Sequence, residues 1–519
     1  MKNNILRLLP ILYLFFLSFS ACQKADQVTE GKPNIILILA DDMGYSDLGC
    51  TGSEIQTPNL DRLAENGVLF TNCYNTSRCC PTRASLLTGL YQHQAGYGHM
   101  DSDLGTPAYQ GRFRDGVVTI AEMLKQANYR NIMIGKWHLG HEDEYAPLAR
   151  GFDRMYGIPK GGGVYFYPCI GRDRQVYLND QQVHPDSNWY STDAFTDHAI
   201  EFVQEATTDQ KPFFMYLAYI APHFPLQARA EDIERYRGKY SKGYEFYRDQ
   251  RFKKQKELAV IAPNTKLSPA DYINWESVEN KEDEELKMAV YAAQVDRLDQ
   301  NVGRLVDQLK ALGIYDNTVI LFMSDNGAVN TGLNETPDAL IGSRHSWAAY
   351  GKSWGNVSNT PYRYYKKMTH EGGVITPMIV HWPGGIENEG LITHEPVHII
   401  DVMPTLLQIT GSTYTEDFKD KKFAPLPGNS FIPLLYGEKQ NPRKEMYWEH
   451  EGNQAVRIGD MKLVRRHKQE WELYNLNEDP TELHDIAADH PGKFKELQAK
   501  WEKWAEDFEI REWPLKKHN

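Results

Sequence analysis

The densest chemistry in the sequence lies in Cys79-Cys80-Pro81-Thr82-Arg83-Ala84-Ser85-Leu86-Leu87-Thr88-Gly89. Pro81 just inside a run of good helix formers, with Gly89 behind it, predicts a helix that starts near Cys79 and stops at Gly89. Cys79 then sits at a helix N-terminus, where free N–H groups and the dipole favour an anion. Arg83, one turn along the same face, adds a fixed cation. These residues alone leave a reactive thiol or a vicinal disulfide with Cys80 as open as an anion-handling nucleophile.

Two acidic clusters end apolar runs elsewhere: Asp41-Asp42 after Asn34-IILILA, and Asp325-Asn326-Gly327 after Thr318-VILFMS. Oxygen donors from two strand ends suit a hard divalent cation such as Ca²⁺ or Mg²⁺, and no soft His/Cys zinc set is on offer. Either cluster alone reads equally as a turn or a helix cap. A cationic group completes the inventory: Lys136 and His138 after Asn131-IMIG, His223 after Phe213-FMYLAYIAP, and Lys366, with Lys367 as its neighbour. Arg344, His345, Trp347, Tyr350 and Trp354 could stack on and hydrogen-bond a sugar, or could simply cover the sheet; both readings stand.

Cys79-x-Pro81-x-Arg83 with Ala84-Ser85-Leu86-Leu87-Thr88-Gly89 resembles the maturation motif of type I formylglycine-dependent sulfatases, arylsulfatase-like members of the alkaline phosphatase superfamily. The register selects Cys79, because Cys80 has Thr82 rather than proline two positions on; Cys80 itself departs from the family's usual small residue. Gly135-Lys136-Trp137-His138-Leu139-Gly140 and Ala221-Pro222-His223-Phe224-Pro225 are similar to two further family elements, and Lys366 precedes Glu371-Gly372-Gly373 at the family spacing. The resemblance runs from Asn34 to near Phe508.

The resemblance implies the following chemistry. A maturation enzyme converts Cys79 to formylglycine. Asp41, Asp42, Asp325, Asn326 and residue 79 hold a divalent metal, usually Ca²⁺ and less often Mg²⁺. Arg83, Lys136 and Lys366 hold the aldehyde hydrate and the sulfate oxygens, while His223 protonates the leaving alcohol. His138 deprotonates the second hydroxyl, so that sulfate leaves and the aldehyde returns. The implied substrate is a sulfated carbohydrate, a terminal hexose such as galactose, contacted by Arg344, His345 and Trp347. A phosphonate monoester or phosphodiester hydrolase of the same superfamily is the rival.

Groups this dispersed in sequence need a scaffold that gathers strand ends. The apolar runs are short, β-rich and unalternating, as for strands buried on both faces, with helical patterns between them around 117–127, 193–207 and 284–312. The expected fold is α/β: a large mixed, mostly parallel sheet flanked by helices, with ligands at the carboxyl ends of the strands. The reading places the catalytic domain at 34–423 and a smaller C-terminal α+β subdomain of antiparallel strands and a closing helix at 424–519. The stretch 227–283 reads as an irregular insertion.

The first residues read as targeting. Lys2 and Arg7 precede a short apolar stretch, Ile11–Leu17, which is too short for a membrane span. A signal peptide over 1–21, a lipid-modified Cys22 and a linker over 22–33 are expected. They would place the protein in the periplasm or on the outer-membrane surface of a Gram-negative bacterium. The later cysteines, Cys50, Cys73, Cys79, Cys80 and Cys169, do not form a tidy disulfide framework. A hydrophobic content of 41% supports a packed core, and a net charge of −13 excludes a nucleic-acid binder. An anionic substrate therefore demands positive charge gathered locally.

Overall fold

The computed structural model describes residues 31–140, 144–387, 390–414, 417–418, 421–422, 424–439 and 445–515. The expected signal peptide, Cys22 and most of the linker lie outside them. Among the described residues no helix is long and apolar enough to cross a membrane.

The apolar runs pair into one large sheet. In chain order its strands are β1 (Asn34–Ala40), β2 (Val68–Tyr74), β3 (Arg130–Lys136), β4 (Arg154–Ile158), β5 (Val176–Leu178), β6 (Gln181–Val183), β7 (Phe213–Ala218), β8 (Thr318–Ser324), β9 (Ile375–His381), β10 (Leu391–Thr393) and β11 (Val397–His398). The spatial order is β10-β2-β9-β8-β1-β7-β3-β4-β5-β6, with β11 also on β2. β8, β1, β7, β3 and β4 run parallel, whereas β9 is antiparallel to β8 and β2. The four runs that end in polar clusters are thus consecutive neighbours, β8-β1-β7-β3. Their carboxyl ends lie side by side at strand spacing, roughly 5 Å apart.

Every residue of β1 is buried, because both faces are covered. Helices Ser191–Thr208 and Lys281–Ala311 bury Phe195, Phe202, Val295 and Leu298 against one face. Helices Cys79–Thr88, Ile120–Gln126 and Val402–Ile409 bury Leu86, Met123 and Leu406 against the other. The expected α/β architecture is observed. The stretch 227–283 is more regular than its sequence suggests, holding helices Ala230–Tyr236 and Gly243–Glu257. The second buries Tyr244, Tyr247, Arg248, Arg251 and Gln255 instead of aliphatic residues. Arg251 pairs with buried Asp47 at 2.7 Å and with Glu54 at 2.8 Å. A polar buried face of this kind carries no hydrophobic period to read.

The C-terminal region forms a four-stranded antiparallel sheet, Met446–His450, Asn453–Ile458, Met461–Arg465 and Glu472–Asn475. Helix Pro491–Asp507 closes it with buried Leu497, Trp501 and Trp504. Polar contacts seat this sheet on residues 363–371, next to the large sheet. Lys462, fully buried, reaches Glu371 at 2.6 Å and Glu482 at 2.9 Å. Glu472 accepts from Arg363 at 2.9 Å and meets His370 Nε2 at 3.0 Å. Burial opposes ionisation of Glu472, but His370 and Arg363 outweigh it and hold the carboxyl down at about 2, against an ordinary 4.5. A depressed carboxylate pKa contributes stability that is complete above 4.5 and lost as pH falls toward 2. The melting-temperature gap between the wild type and Glu472→Gln should therefore be constant from pH 7 to 5 and narrow below pH 4.5. A gap that widens on acidification would contradict this.

Candidate active site

Cys79 is the first residue of helix Cys79–Thr88, entered from Arg78 in extended conformation. Its Sγ lies 3.0 Å from Lys366 Nζ, 3.6 Å from Asp41 Oδ1, 3.7 Å from Asn326 Oδ1 and 4.0 Å from Asp42 Oδ1. Burial pushes the thiol up to about 11, against the pull of Lys136 and Lys366. Burial thus works against a reactive thiolate at this position. Cys79 and Cys80 are both free, so no vicinal disulfide joins them.

The strand ends converge around this sulfur. Lys136 Nζ meets Asp41 Oδ2 at 2.5 Å, and Lys366 Nζ pairs closely with Asp42 Oδ1. Lys367 turns away to Glu451 at 3.2 Å, which settles Lys366 as the lysine beside Cys79. Arg83, fully buried, donates through Nε and Nη2 to Asp325 Oδ2 at 3.2 and 2.8 Å, and through Nη1 to the Lys136 carbonyl at 3.0 Å. Its donors thus brace the carboxylates rather than reach toward Cys79. Asp42, His138 and Ser77 adopt positive φ without being glycine (64°, 61° and 63°). Clustered backbone strain of this kind is characteristic of functional sites.

Four oxygen-bearing side chains, Asp41, Asp42, Asp325 and Asn326, face one another in a fully buried cluster. Ligand atoms of Asp41, Asp42, Cys79 and His223 lie within 4.8 Å of one another, and Asp42 Oδ2 has no hydrogen-bond donor. Burial and the neighbouring Asp41 charge push the Asp325 carboxyl up to about 6. Burial also opposes ionisation of Asp41, yet Lys136, His223 and Arg83 hold it well below the usual carboxylate range. The oxygens of Asp41, Asp42, Asp325 and Asn326, with Asp42 Oδ2 lacking a hydrogen bond and facing only His223 Nε2 at 3.4 Å, fit a hard divalent cation.

His223 shares the cluster of Asp41, Asp42 and Cys79, whereas His138 groups with Cys80 and Asp101. His223 Nε2 lies 3.4 Å from Asp42 Oδ2, while its Nδ1 is fixed on the Phe224 carbonyl at 2.5 Å. Burial lowers its pKa, against the pull of Asp42 and Asp41. His138 is held well below the usual imidazole range by burial and by Lys136 and Arg83, which favours the neutral ring, with a nitrogen free to accept a proton. Its Nε2 is 3.8 Å from Asp101 Oδ2. It packs on Gly161, where a Cβ would come within 2.0 Å of Nε2.

The family model described as Sulfatase matches residues 33–412. The chain belongs to the sulfatase family. This sulfatase also matches the model for the N-sulphoglucosamine sulphohydrolase C-terminal region over residues 361–509. It is 35% identical to an uncharacterized sulfatase of Schizosaccharomyces pombe, over 92% of this chain and 94% of the relative. It is likewise 35% identical to an arylsulfatase of Klebsiella aerogenes, over 81% and 96%. The solved structure of Ps i-CgsB superposes with a TM-score of 0.70 at 30% identity, covering 94% of each chain. The enzyme is therefore a sulfuric ester hydrolase.

Tyr350 and Trp354 of the sulfatase are packed in the core, whereas Trp347 meets the ring of Phe224, next to His223. Tyr350 stacks on Tyr291, and Trp354 is buried among Tyr240, Tyr244 and Trp275 with its N–H on the Glu284 carbonyl. Trp347 is 4% exposed and donates to the Ile170 carbonyl. Arg344 donates to the Tyr167 carbonyl above the Phe166 ring, and His345 is exposed. The sequence did not point to Asp101 and Gly161 beside His138, or to His99 and Glu451 beyond Lys366. Only a pairing of residues far apart in sequence reveals them.

Proposed function

We propose that this sulfatase removes an O-sulfate from a carbohydrate, a terminal sulfated hexose such as galactose, with residue 79 acting as formylglycine. The observation that carries the chemistry is the position of Cys79, 3.0 Å from Lys366 and facing the oxygens of Asp41, Asp42 and Asn326. Its Sγ marks where an oxygen of the hydrated aldehyde would lie. Asp41, Asp42, Asp325 and Asn326, with that oxygen, would hold Ca²⁺ in preference to Mg²⁺, and the bound ion supplies neutralisation of the sulfate charge. Lys366 and Lys136 bind sulfate oxygens and keep the attacking hydroxyl deprotonated. His223 would act as the imidazolium, favoured by Asp42, Asp41 and the charge of the bound sulfate: its Nδ1–H stays on the Phe224 carbonyl while Nε2 gives its proton to the leaving oxygen as the ester S–O bond breaks. Neutral His138 takes the proton of the second hydroxyl, which frees sulfate and restores the aldehyde.

The carbohydrate reading draws on relatives. One is named N-acetylgalactosamine-6-sulfatase, from Homo sapiens, and Ps i-CgsB was solved in complex with k-i-k-neocarrahexaose. We propose further that a formylglycine-generating enzyme matures the chain. Export on the N-terminal signal and lipidation at Cys22 would then place it in the periplasm or on the outer-membrane surface.

The test uses matured protein against positionally defined sulfated sugars, 4-nitrophenyl sulfate and a matched phosphodiester. A sulfated galactose or N-acetylgalactosamine should give the highest kcat/KM. Faster turnover of the phosphodiester would replace this reading with the phosphonate or phosphodiester hydrolase.

A further inference from the structure

We propose that Glu451, Lys367 and His99 form a subsite for adjacent hydroxyls of the sugar that carries the sulfate, so that the C-terminal sheet sets sugar selectivity. This rests on the sulfatase reading and moves selectivity away from the stretch containing Arg344 and Trp347.

Glu451 sits at the tip of the hairpin joining strands Met446–His450 and Asn453–Ile458. The tip is tied to the nucleophile's surroundings. Asn453 Nδ2 donates to the Lys367 carbonyl at 3.2 Å and to the His450 carbonyl at 3.0 Å, and Lys367 N–H donates to the Ser77 carbonyl at 2.8 Å. Lys367 follows Lys366, and Ser77 lies two residues before Cys79. A carboxylate from the C-terminal sheet is thereby delivered beside the reaction centre.

The groups at this tip are arranged to both accept and donate. Glu451 Oε1 meets His99 Nε2 at 3.1 Å and Oε2 meets Lys367 Nζ at 3.2 Å; each oxygen keeps a further lone pair. Lys367 is 41% exposed and has N–H donors beyond this ion pair. Arg78 Nε donates to the Met100 sulfur at 3.3 Å. Burial opposes ionisation of Glu451, but His99, His450, Lys367 and Arg78 hold its carboxyl well below the usual range, so it only accepts. A sugar hydroxyl that donates to Glu451 can accept from Lys367 or Arg78, which is the pattern of an adjacent hydroxyl pair.

Two further observations point to a ligand. His450 is fully buried beneath His99, ring centroids 5.6 Å apart and planes 9° apart; its Nε2 lies 3.7 Å from Glu451 Oε1, and its Nδ1 has no hydrogen bond. Buried polar groups are normally satisfied, so the unbonded His450 Nδ1 leaves hydrogen-bonding capacity beneath the Glu451–His99 pair. Lys367 and Glu451 both hold positive φ, 79° and 50°, a strained conformation at the point where they meet. His99, His450 and Glu451 are also close enough to share a cation, but Lys367 and Arg78 set positive charge against one. A neutral polyol is the better match.

The test compares the matured full chain with Glu451→Gln and Glu451→Asp. The probes are 4-nitrophenyl sulfate, the 2-, 3-, 4- and 6-O-sulfates of galactose, and N-acetylgalactosamine 6-sulfate. Glu451→Gln should lower kcat/KM on the preferred sugar sulfate about 30-fold, mainly through KM, and at least ~10-fold more than on 4-nitrophenyl sulfate. Glu451→Asp should recover part of the sugar turnover. Equal losses on both probe classes would show a merely structural role and overturn the proposal. So would loss of a second equivalent of metal in Glu451→Gln by elemental analysis, or a wild type that hydrolyses 4-nitrophenyl sulfate but none of the sugars. A matured wild type inactive on every probe would instead sink the formylglycine reading on which this rests.

Discussion

Cys79→Ser should reduce multiple turnover by at least about 10⁴-fold while leaving the fold and the metal content intact. The serine hydroxyl would occupy the Sγ position, 3.0 Å from Lys366, so it could still be sulfated. It has no second hydroxyl from which His138 could take a proton, and each active site would stop after a single event. The expected picture is an assay with no sustained rate, and an intact mass showing at most one sulfate per chain. Sustained turnover by the serine variant would refute the aldehyde mechanism. Unmodified Cys79 in fully active protein would refute it equally, since a thiol has no second hydroxyl from which sulfate could be expelled.

Asp325→Ala should be the most damaging change outside position 79, because it removes two functions at once. Asp325 supplies a donor to the oxygen cluster and is also the acceptor for Arg83 Nε and Nη2 at 3.2 and 2.8 Å, both side chains fully buried. Stranding a buried guanidinium costs about 3–5 kcal/mol. Loss of the cation's neutralisation should cut kcat/KM by at least ~10²-fold. Chemical denaturation, elemental analysis and kinetics read the effects separately. Asp325→Asn keeps an acceptor for Arg83 and should recover much of the stability while binding metal more weakly. Unchanged metal content in Asp325→Ala would rule the residue out as a ligand.

Much of this site is legible in the order of residues along the chain. The run Asn34-IILILA ends in Asp41-Asp42, and Thr318-VILFMS ends in Asp325-Asn326, so the strand, its burial and its polar end are contiguous. Cys79, Pro81 and Gly89 mark a helix by local signals, and the helix spans Cys79–Thr88. Other features are not legible in this way. Helix Gly243–Glu257 buries tyrosine, arginine and glutamine, so no apolar period announces it. Trp347, Tyr350 and Trp354 suit a sugar platform by residue type, yet their rings and N–H groups are largely taken up by Ile170, Tyr291 and Glu284. Residue type cannot say which partner reaches an aromatic ring first.

By itself the sequence determined which residues end each strand, which cysteine heads the helix and which lysine has the family spacing, because these depend on neighbours along the chain. The tertiary structure decided that β8, β1, β7 and β3 are consecutive, which places Asp325, Asp41, His223 and Lys136 within reach of a single sulfur. It also decided that Arg83 braces carboxylates and that Glu451 arrives from a different sheet, 85 residues beyond Lys366 by their numbering. The physical reason is the same in each case. Charge pairing and burial act at a few ångströms in space, and a linear pattern carries no record of which distant segments will meet.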